Sequence, residues 1–227
     1  GCAYDGWHDR PIGLAYHLHR GAGQRFARLN AIAVMTSRLS PRFHIIWSTT
    51  SPAMALQRCM THGARPDVLV VDMQDVGLRF YTYYISMLRM MDACAEFGRR
   101  VVVLDRPNPN GHLVDGPVLD MKYKSGVGAI PVPVLHGLTM GEIARMAVGE
   151  VGEAGDLTVV KCRNYTHATE YLLPVAPSPN LPTQRAVYLY AALCPFEGTV
   201  VSLGRGTDCP FEIYGHPDMT GRAFSFT

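Results

Sequence analysis

The chain has almost no lysine, and at its start it has no glutamate either. Residues 1–66 hold eight Arg, two Asp and neither Lys nor Glu, a balance of +6. Residues 67–227 hold ten Arg and three Lys against seventeen acids, a balance of −4, and the two parts sum to the +2 of the whole chain. A basic arm for nucleic acid needs clustered Lys and Arg. Here the Arg residues are scattered, so no nucleic-acid partner is expected. No apolar run approaches the roughly 20 residues of a membrane helix, so no membrane span is expected. Six cysteines stand at 2, 59, 94, 162, 194 and 209 without a Cys-x-x-Cys pair, which argues against a zinc or redox motif. Cys94 falls on a predicted core helix face and Cys162 in a predicted strand, so both read as buried thiols.

Other missing motifs narrow the chemistry. No Gly-x-Gly-x-x-Gly follows a strand, and there is no P-loop, so a nucleotide-binding domain has only its strand–helix alternation in its favour. No Gly-x-Ser-x-Gly elbow and no His-Glu-x-x-His occur. No other metal-ligand spacing is present. The chain opens Gly-Cys-Ala-Tyr, without Met or a leader, and reads as a fragment.

What is present is the composition of a globular protein, 48% apolar and 18% charged, long enough for one large domain or for one domain and part of another. Residues 1–66 lack a sustained period of two or 3.6. Ala31–Val34 and Phe43–Trp47 read as short strands, and Pro52–Met60 as a short helix. The abrupt join to a well-patterned sequence predicts that much of 1–66 is out-of-frame translation ahead of a genuine domain, the alternative being an unusual N-terminal segment.

From Asp67 the pattern is regular. Val68–Val71 is an unbroken apolar run, the mark of a strand buried on both faces. A helix follows over about Tyr83–Phe97, with Ile85, Leu88, Met91 and Ala95 on one face and Gly98 as its C-terminal stop. Strand Val101–Leu104 completes a βαβ unit, which should be parallel and right-handed. Further strands are predicted at Val132–Leu135, Leu157–Cys162 and Thr199–Leu203. Thr139 and Glu142 spell a capping box for a helix to about Val148, with Leu138 and Ile143 placed as a staple. Pro174–Pro182 should be extended and rigid, a boundary between lobes, and Thr183 should cap a helix over about Gln184–Leu193. The fold class is α/β: an incomplete Rossmann-like lobe at 67–173 with a mostly parallel sheet, then the start of a second, smaller α/β lobe at 174–227.

Three predicted strand ends carry polar groups: Asp72, Gln74 and Asp75; Asp105, Asn108 and Asn110; and His136. Parallel neighbours would bring them to one rim, where open α/β sheets hold ligands. A lone Asp at such a place often only caps a helix or orders a turn. Arg79 can pair with Asp75 or fork onto an anion. Tyr81, Tyr83 and Tyr84 suit sugar stacking, or plain packing. Glu142 is accounted for by its capping box. Glu197 has no evident local structural job and is a candidate carboxylate. Arg205 and Asp208 either point outward together or bridge each other.

These residues carry a resemblance. Asp-Met-Gln-Asp-Val-Gly-Leu-Arg-Phe-Tyr-Thr-Tyr (72–83), Val-Leu-Asp-Arg-Pro-Asn-Pro-Asn-Gly (103–111), Asp-Gly-Pro-Val-Leu-Asp (115–120), Pro-Val-Leu-His-Gly-Leu-Thr-Met-Gly-Glu (133–142), Pro-Ser-Pro-Asn-Leu-Pro-Thr (177–183) and Phe-Glu-Gly-Thr…Gly-Arg-Gly-Thr-Asp-Cys-Pro-Phe-Glu (196–212) stand in that order. Together they resemble the NamZ-type exo-β-N-acetylmuramidases over about residues 67–227. The resemblance implies two lobes with a site between them. It implies release of terminal β-linked N-acetylmuramic acid from peptidoglycan fragments, outside the cytoplasm, without a cofactor. On it, Asp72, Asp75 and Glu197 are the catalytic candidates. Gln74, Arg79, Tyr81, Asp105, Asn108, Asn110, His136, Asn180, Arg205 and Asp208 are candidates to bind muramic acid saccharides, with Arg79 or Arg205 on the lactyl carboxylate. The family's first lobe also carries a Gly-Pro-Glu-His-Gly motif whose Glu is its favoured catalytic residue, and residues 1–66 contain no Glu. A non-catalytic or catalytically defective sugar-binding protein is therefore the alternative.

Overall fold

The computed structural model describes residues 31–36, 42–45, 67–150 and 156–219. Its centre is a five-stranded sheet in the order β2-β1-β3-β4-β5. The strands are β1 (Ala31–Thr36), β2 (Arg42–Ile45), β3 (Val68–Asp72), β4 (Arg100–Leu104) and β5 (Leu157–Val160). β3, β4 and β5 are parallel, with Val70 opposite Val102 and Val102 opposite Thr158. β1 runs antiparallel to both β2 and β3, with Ala33 opposite Val70. The two short strands read near residues 31 and 43 thus form, with shifted bounds, the antiparallel side of an otherwise parallel sheet. The helix read at 52–60 lies outside the described residues.

Helix α1 (Tyr83–Glu96) ends one residue before the predicted stop, and Gly98 has the positive φ of +60° expected there. Its buried face is centred on Met87, Met90, Met91 and Cys94, not on the Ile85–Leu88–Met91–Ala95 row. The apolar stripe is wider than one row because the helix packs on β4 and also on helix α2 (Met140–Glu150). The resulting core joins Leu69, Val71, Val101 and Val103 of the sheet to Met73, Met87, Met90, Met140 and Ile143. Methionine fills such irregular gaps because its chain is unbranched.

The capping box at α2 forms as spelled: Thr139 N–H donates to the Glu142 carboxylate at 2.9 Å, and Glu142 N–H to Thr139 Oγ1 at 3.2 Å. Helix α3 (Gln184–Leu193) is capped by Thr183, whose hydroxyl accepts from Ala186 N–H at 2.9 Å. Its inner face, Ala186, Val187 and Tyr190, joins Val76, Leu78, Tyr81, Leu181, Leu203 and Phe211 in a second apolar cluster.

Four expectations are corrected. Val132–Leu135 is not a sheet strand; Leu135 makes only single bridges to Leu78 and Asp115, because it lies beside the loop after β3. Thr199–Leu203 likewise reduces to a Ser202–Gly215 bridge. Pro174–Pro182 is not extended throughout, since Leu181 N–H closes a turn on Ser178 O at 3.0 Å. Cys162 lies beyond the end of β5 and, like Cys194, is half-buried, and Cys209 is exposed, so among the described cysteines only Cys94 has the full burial read for a structural thiol, which pushes its pKa up to about 12.

Candidate functional site

The stretch after β3, residues 73–79, is buried yet not part of the sheet. Its backbone groups must still be paired, and side-chain amides do much of this. Gln74 Nε2 donates to Asp75 O and to Pro107 O, both at 2.8 Å. Asn110 Nδ2 donates to Val76 O at 2.8 Å, and Asn110 N–H to Asn108 Oδ1 at 2.8 Å. Asn108 Nδ2 reaches Leu138 O at 3.0 Å. On the other side Arg79 N–H donates to Val134 O at 2.9 Å and His136 N–H to Gly77 O at 3.3 Å. The loops after β3 and β4 and the 132–138 stretch therefore do meet. His136 comes to this rim without a strand of its own, a correction to the three-strand reading. Gly77 makes the approach possible: its φ is +75°, and a Cβ there would stand 2.3 Å from the Asn108 amide.

Asp75 sits at the middle of this arrangement. Its Oδ1 accepts from Gly77 N–H at 2.7 Å, while Oδ2 is buried without a hydrogen-bond partner. Burial outweighs the backbone hydrogen bonds from Gly77 and Val76 and lifts its pKa from 3.8 to about 7. His136 Nδ1 accepts from Leu138 N–H at 3.1 Å, which places the ring proton on Nε2. That Nε2 is buried and without a partner, and burial lowers the His136 pKa to about 4, so the ring is neutral near pH 7. Arg79 Nε is a third buried group without a partner. The Tyr84 ring packs edge-on toward His136, with centroids 6.4 Å apart. Buried polar atoms without partners are rare and each costs about 1–3 kcal/mol. Two of them, Asp75 and Arg79, lie in the loop after β3, and the third, His136, is hydrogen-bonded to that loop at Gly77 O.

The other candidates are committed to structural bonds. Arg79 does not pair with Asp75. Its guanidinium donates to Pro117 O at 2.8 Å and Val132 O at 2.7 Å, bolting the 113–131 excursion to the body, and lies over Phe80. Asp72 accepts from Arg106 Nε at 2.6 Å. Asp105 accepts from Thr139 Oγ1 at 2.7 Å and Gly141 N–H at 2.8 Å, so it holds the start of α2. Tyr81 hydroxyl donates to Pro177 O at 3.0 Å, tying the loop after β3 to the 174–182 stretch. Asn180 lies in the Ser178–Leu181 turn, where its N–H meets Ser178 Oγ at 3.3 Å. Glu197 does have a structural job: it takes the Arg205 guanidinium, with Arg205 Nε at 2.8 Å. Arg205 therefore bridges Glu197, not Asp208, and Asp208 is exposed on its loop.

Two residues at the rim carried no sequence signal. His167 bonds to Glu142, and Tyr165 hydroxyl to both backbone groups of Asn108. Both lie in an unpatterned loop after β5, so nothing in spacing or composition could single them out. Among the described residues no group of three or more His, Cys, Asp or Glu is disposed to hold a metal ion.

The fold is a mixed α/β sheet whose strand-end loops enclose a protonatable carboxyl and a neutral imidazole at the rim where open α/β sheets hold ligands. Comparison with known proteins narrows this to one family. The N-terminal model of the exo-β-N-acetylmuramidase NamZ matches residues 57–185, and the C-terminal model matches 188–226. The chain belongs to the NamZ family. It is 46% identical over 156 residues to the peptidoglycan β-N-acetylmuramidase NamZ of Bacillus subtilis (strain 168), a match over 66% of this chain and 38% of that protein. Two crystal structures of DUF1343 family proteins from Bacteroides fragilis NCTC 9343 are similar. One is 63% identical with a TM-score of 0.69, covering 71% of this chain and 47% of that one. The other is 33% identical with a TM-score of 0.62, covering 74% and 44%. The chain thus spans less than half the length of these relatives.

Proposed function

We propose that this chain carries the α/β lobe of a peptidoglycan glycoside hydrolase that releases terminal β-linked N-acetylmuramic acid, acting outside the cytoplasm. The observation that supports this most is Asp75. A glycosidase acid must hold its proton near neutral pH, and a buried carboxyl with one uncommitted oxygen and a pKa of about 7 has that property. Membership of the family, and the name of the Bacillus subtilis relative, supply the substrate class. His136, neutral and donating from Nε2, suits a sugar hydroxyl or acetamido oxygen beside it. Asp75 is only 4% exposed, so this reading requires the surrounding loops to admit the sugar. Incubating the chain with a chromogenic β-N-acetylmuramic acid glycoside should release the chromophore, and Asp75→Asn should cut the rate at least tenfold. Equal rates would remove Asp75 from the mechanism.

A second reading is binding without turnover, and one observation favours it. Hydrolysis commonly uses two carboxyl groups flanking the bond, yet Asp72, Asp105 and Glu197 are engaged with Arg106, the start of α2 and Arg205. A saturable thermal shift with the glycoside, with no release of chromophore, would establish this second reading.

A further inference from the structure

The loop between β5 and α3 is fastened over the rim by side chains that the function proposed above does not use. Tyr165 hydroxyl donates to Asn108 O at 3.1 Å and accepts from Asn108 N–H at 3.3 Å. Two residues on, His167 Nδ1 lies 3.2 Å from Gly111 O and Nε2 lies 2.9 Å from the Glu142 carboxylate. A turn closed by Thr169 N–H on Thr166 O at 2.9 Å presents the ring. A carbonyl oxygen and a carboxylate can only accept, so each ring nitrogen must bring a hydrogen. The imidazolium satisfies both partners at once; the neutral ring must give up one.

We propose that His167 is a positioning residue whose imidazolium latches the 163–169 loop across the Asn108–Gly111 turn and the start of α2, and that loss of its proton loosens the latch. The groups facing the ring are few. Glu142 is the charged one from α2, Tyr165 flanks it at 6.5 Å between centroids, and the loop after β4 and the turn at Gly137 offer backbone groups. Asp105, beyond Glu142, is occupied by Thr139 and Gly141. The hydrogen bond to Glu142 is the main cause that raises the His167 pKa above its ordinary value. A raised folded pKa means that the latch is fully formed below the unfolded pKa of about 6.5 and is lost as pH climbs through the folded value. Its reach follows from the turn it holds. Asn108 and Asn110 carry the bonds to Leu138 O, two residues past His136, and to Val76 O, next to Asp75. For catalysis the latch rests on the function proposed above; as a structural device it does not.

The test uses the full chain, and Glu142→Gln beside wild type. Gln serves in a capping box as Glu does, so α2 keeps its start while the negative charge goes. By NMR, His167 should titrate above about 6.5 in wild type and fall toward that value in Glu142→Gln. Amide protection across 163–169 and 108–111 should drop several-fold as pH rises through the His167 titration, and in His167→Asn it should be low throughout. Titration at or below about 6.5, no change in Glu142→Gln, or protection that ignores the titration would each overturn the latch. In a parallel hydrolysis assay, His167→Asn should be slower than wild type below the His167 titration, and the two profiles should converge above it, since both keep the alkaline limb that Asp75 sets. An inactive wild type would count against the function proposed above, while the NMR arm still decides the latch.

Discussion

Replacing Asp75 with Asn should change how stability depends on pH more than it changes stability at any one pH. Burial lifts the carboxyl from 3.8 in the unfolded chain to about 7 when folded. Between those values the folded state binds the extra proton, so folding is favoured at low pH. This contribution is complete below about pH 4 and is lost as pH rises through 7. A shift of about three units corresponds to roughly 4 kcal/mol at about 1.4 kcal/mol per unit. Asn keeps an oxygen for Gly77 N–H and places Nδ2 where Oδ2 had no partner, a pH-independent cost of about 1–3 kcal/mol. The offset and the slope are therefore separable. Asp105 is raised in the same direction by burial and contributes equally to both proteins, so it cancels in the comparison. Urea unfolding followed by far-UV circular dichroism, at a series of pH values from about 4 to 8, measures the slopes. Wild type should lose roughly 4 kcal/mol relative to Asp75→Asn across that range. Parallel curves would refute the argument, since they would mean that Asp75 reaches water or a partner when folded.

Gly77→Ala should be among the most damaging single changes, roughly 2–4 kcal/mol by thermal denaturation, because it sets a methyl 2.3 Å from the Asn108 amide at a φ of +75°. Arg79→Met should leave the far-UV spectrum intact but free the excursion that Arg79 ties through Pro117 O and Val132 O, so limited proteolysis should cut within 113–131 several times faster than in wild type.

Where local chemistry decided the structure, the sequence was readable. Thr139 and Glu142 cap α2, Thr183 caps α3, and Gly98 ends α1 because each motif satisfies its own backbone groups within a few residues. The Val68–Asp72 and Arg100–Leu104 strands were visible, each one residue short, in the unbroken apolar runs Val68–Val71 and Val101–Leu104. The rim was partly readable: Asp75, His136 and the asparagines do converge. What was not legible was who bonds to whom. Gln74, Asn108 and Asn110 bind carbonyls 30 to 34 residues away, and no spacing rule encodes such a pairing. Val132–Leu135 has the composition of a strand, but Arg79 and Leu78 claim its carbonyls and its bridge before any sheet neighbour can. Glu197 shows no local structural job in the sequence because its partner, Arg205, lies eight residues on in an irregular loop. His167 gave no signal because the groups that define it, Gly111 and Glu142, come from two other elements.

The turn that carries these amides also bears on how the molecule ages. Asn110-Gly111 is the kind of dipeptide most prone to deamidation, in which the glycine nitrogen attacks the asparagine side chain. Here that nitrogen is turned away to Asn108 O at 3.1 Å, and the side chain is held on Val76 O at 2.8 Å. Folding thus protects the linkage that would suffer soonest in a loosened chain. Should deamidation occur, a carboxylate would face the Val76 carbonyl in place of a donor, beside Asp75. Damage at this one peptide would spoil the proton chemistry of the rim while leaving the sheet and its helices standing.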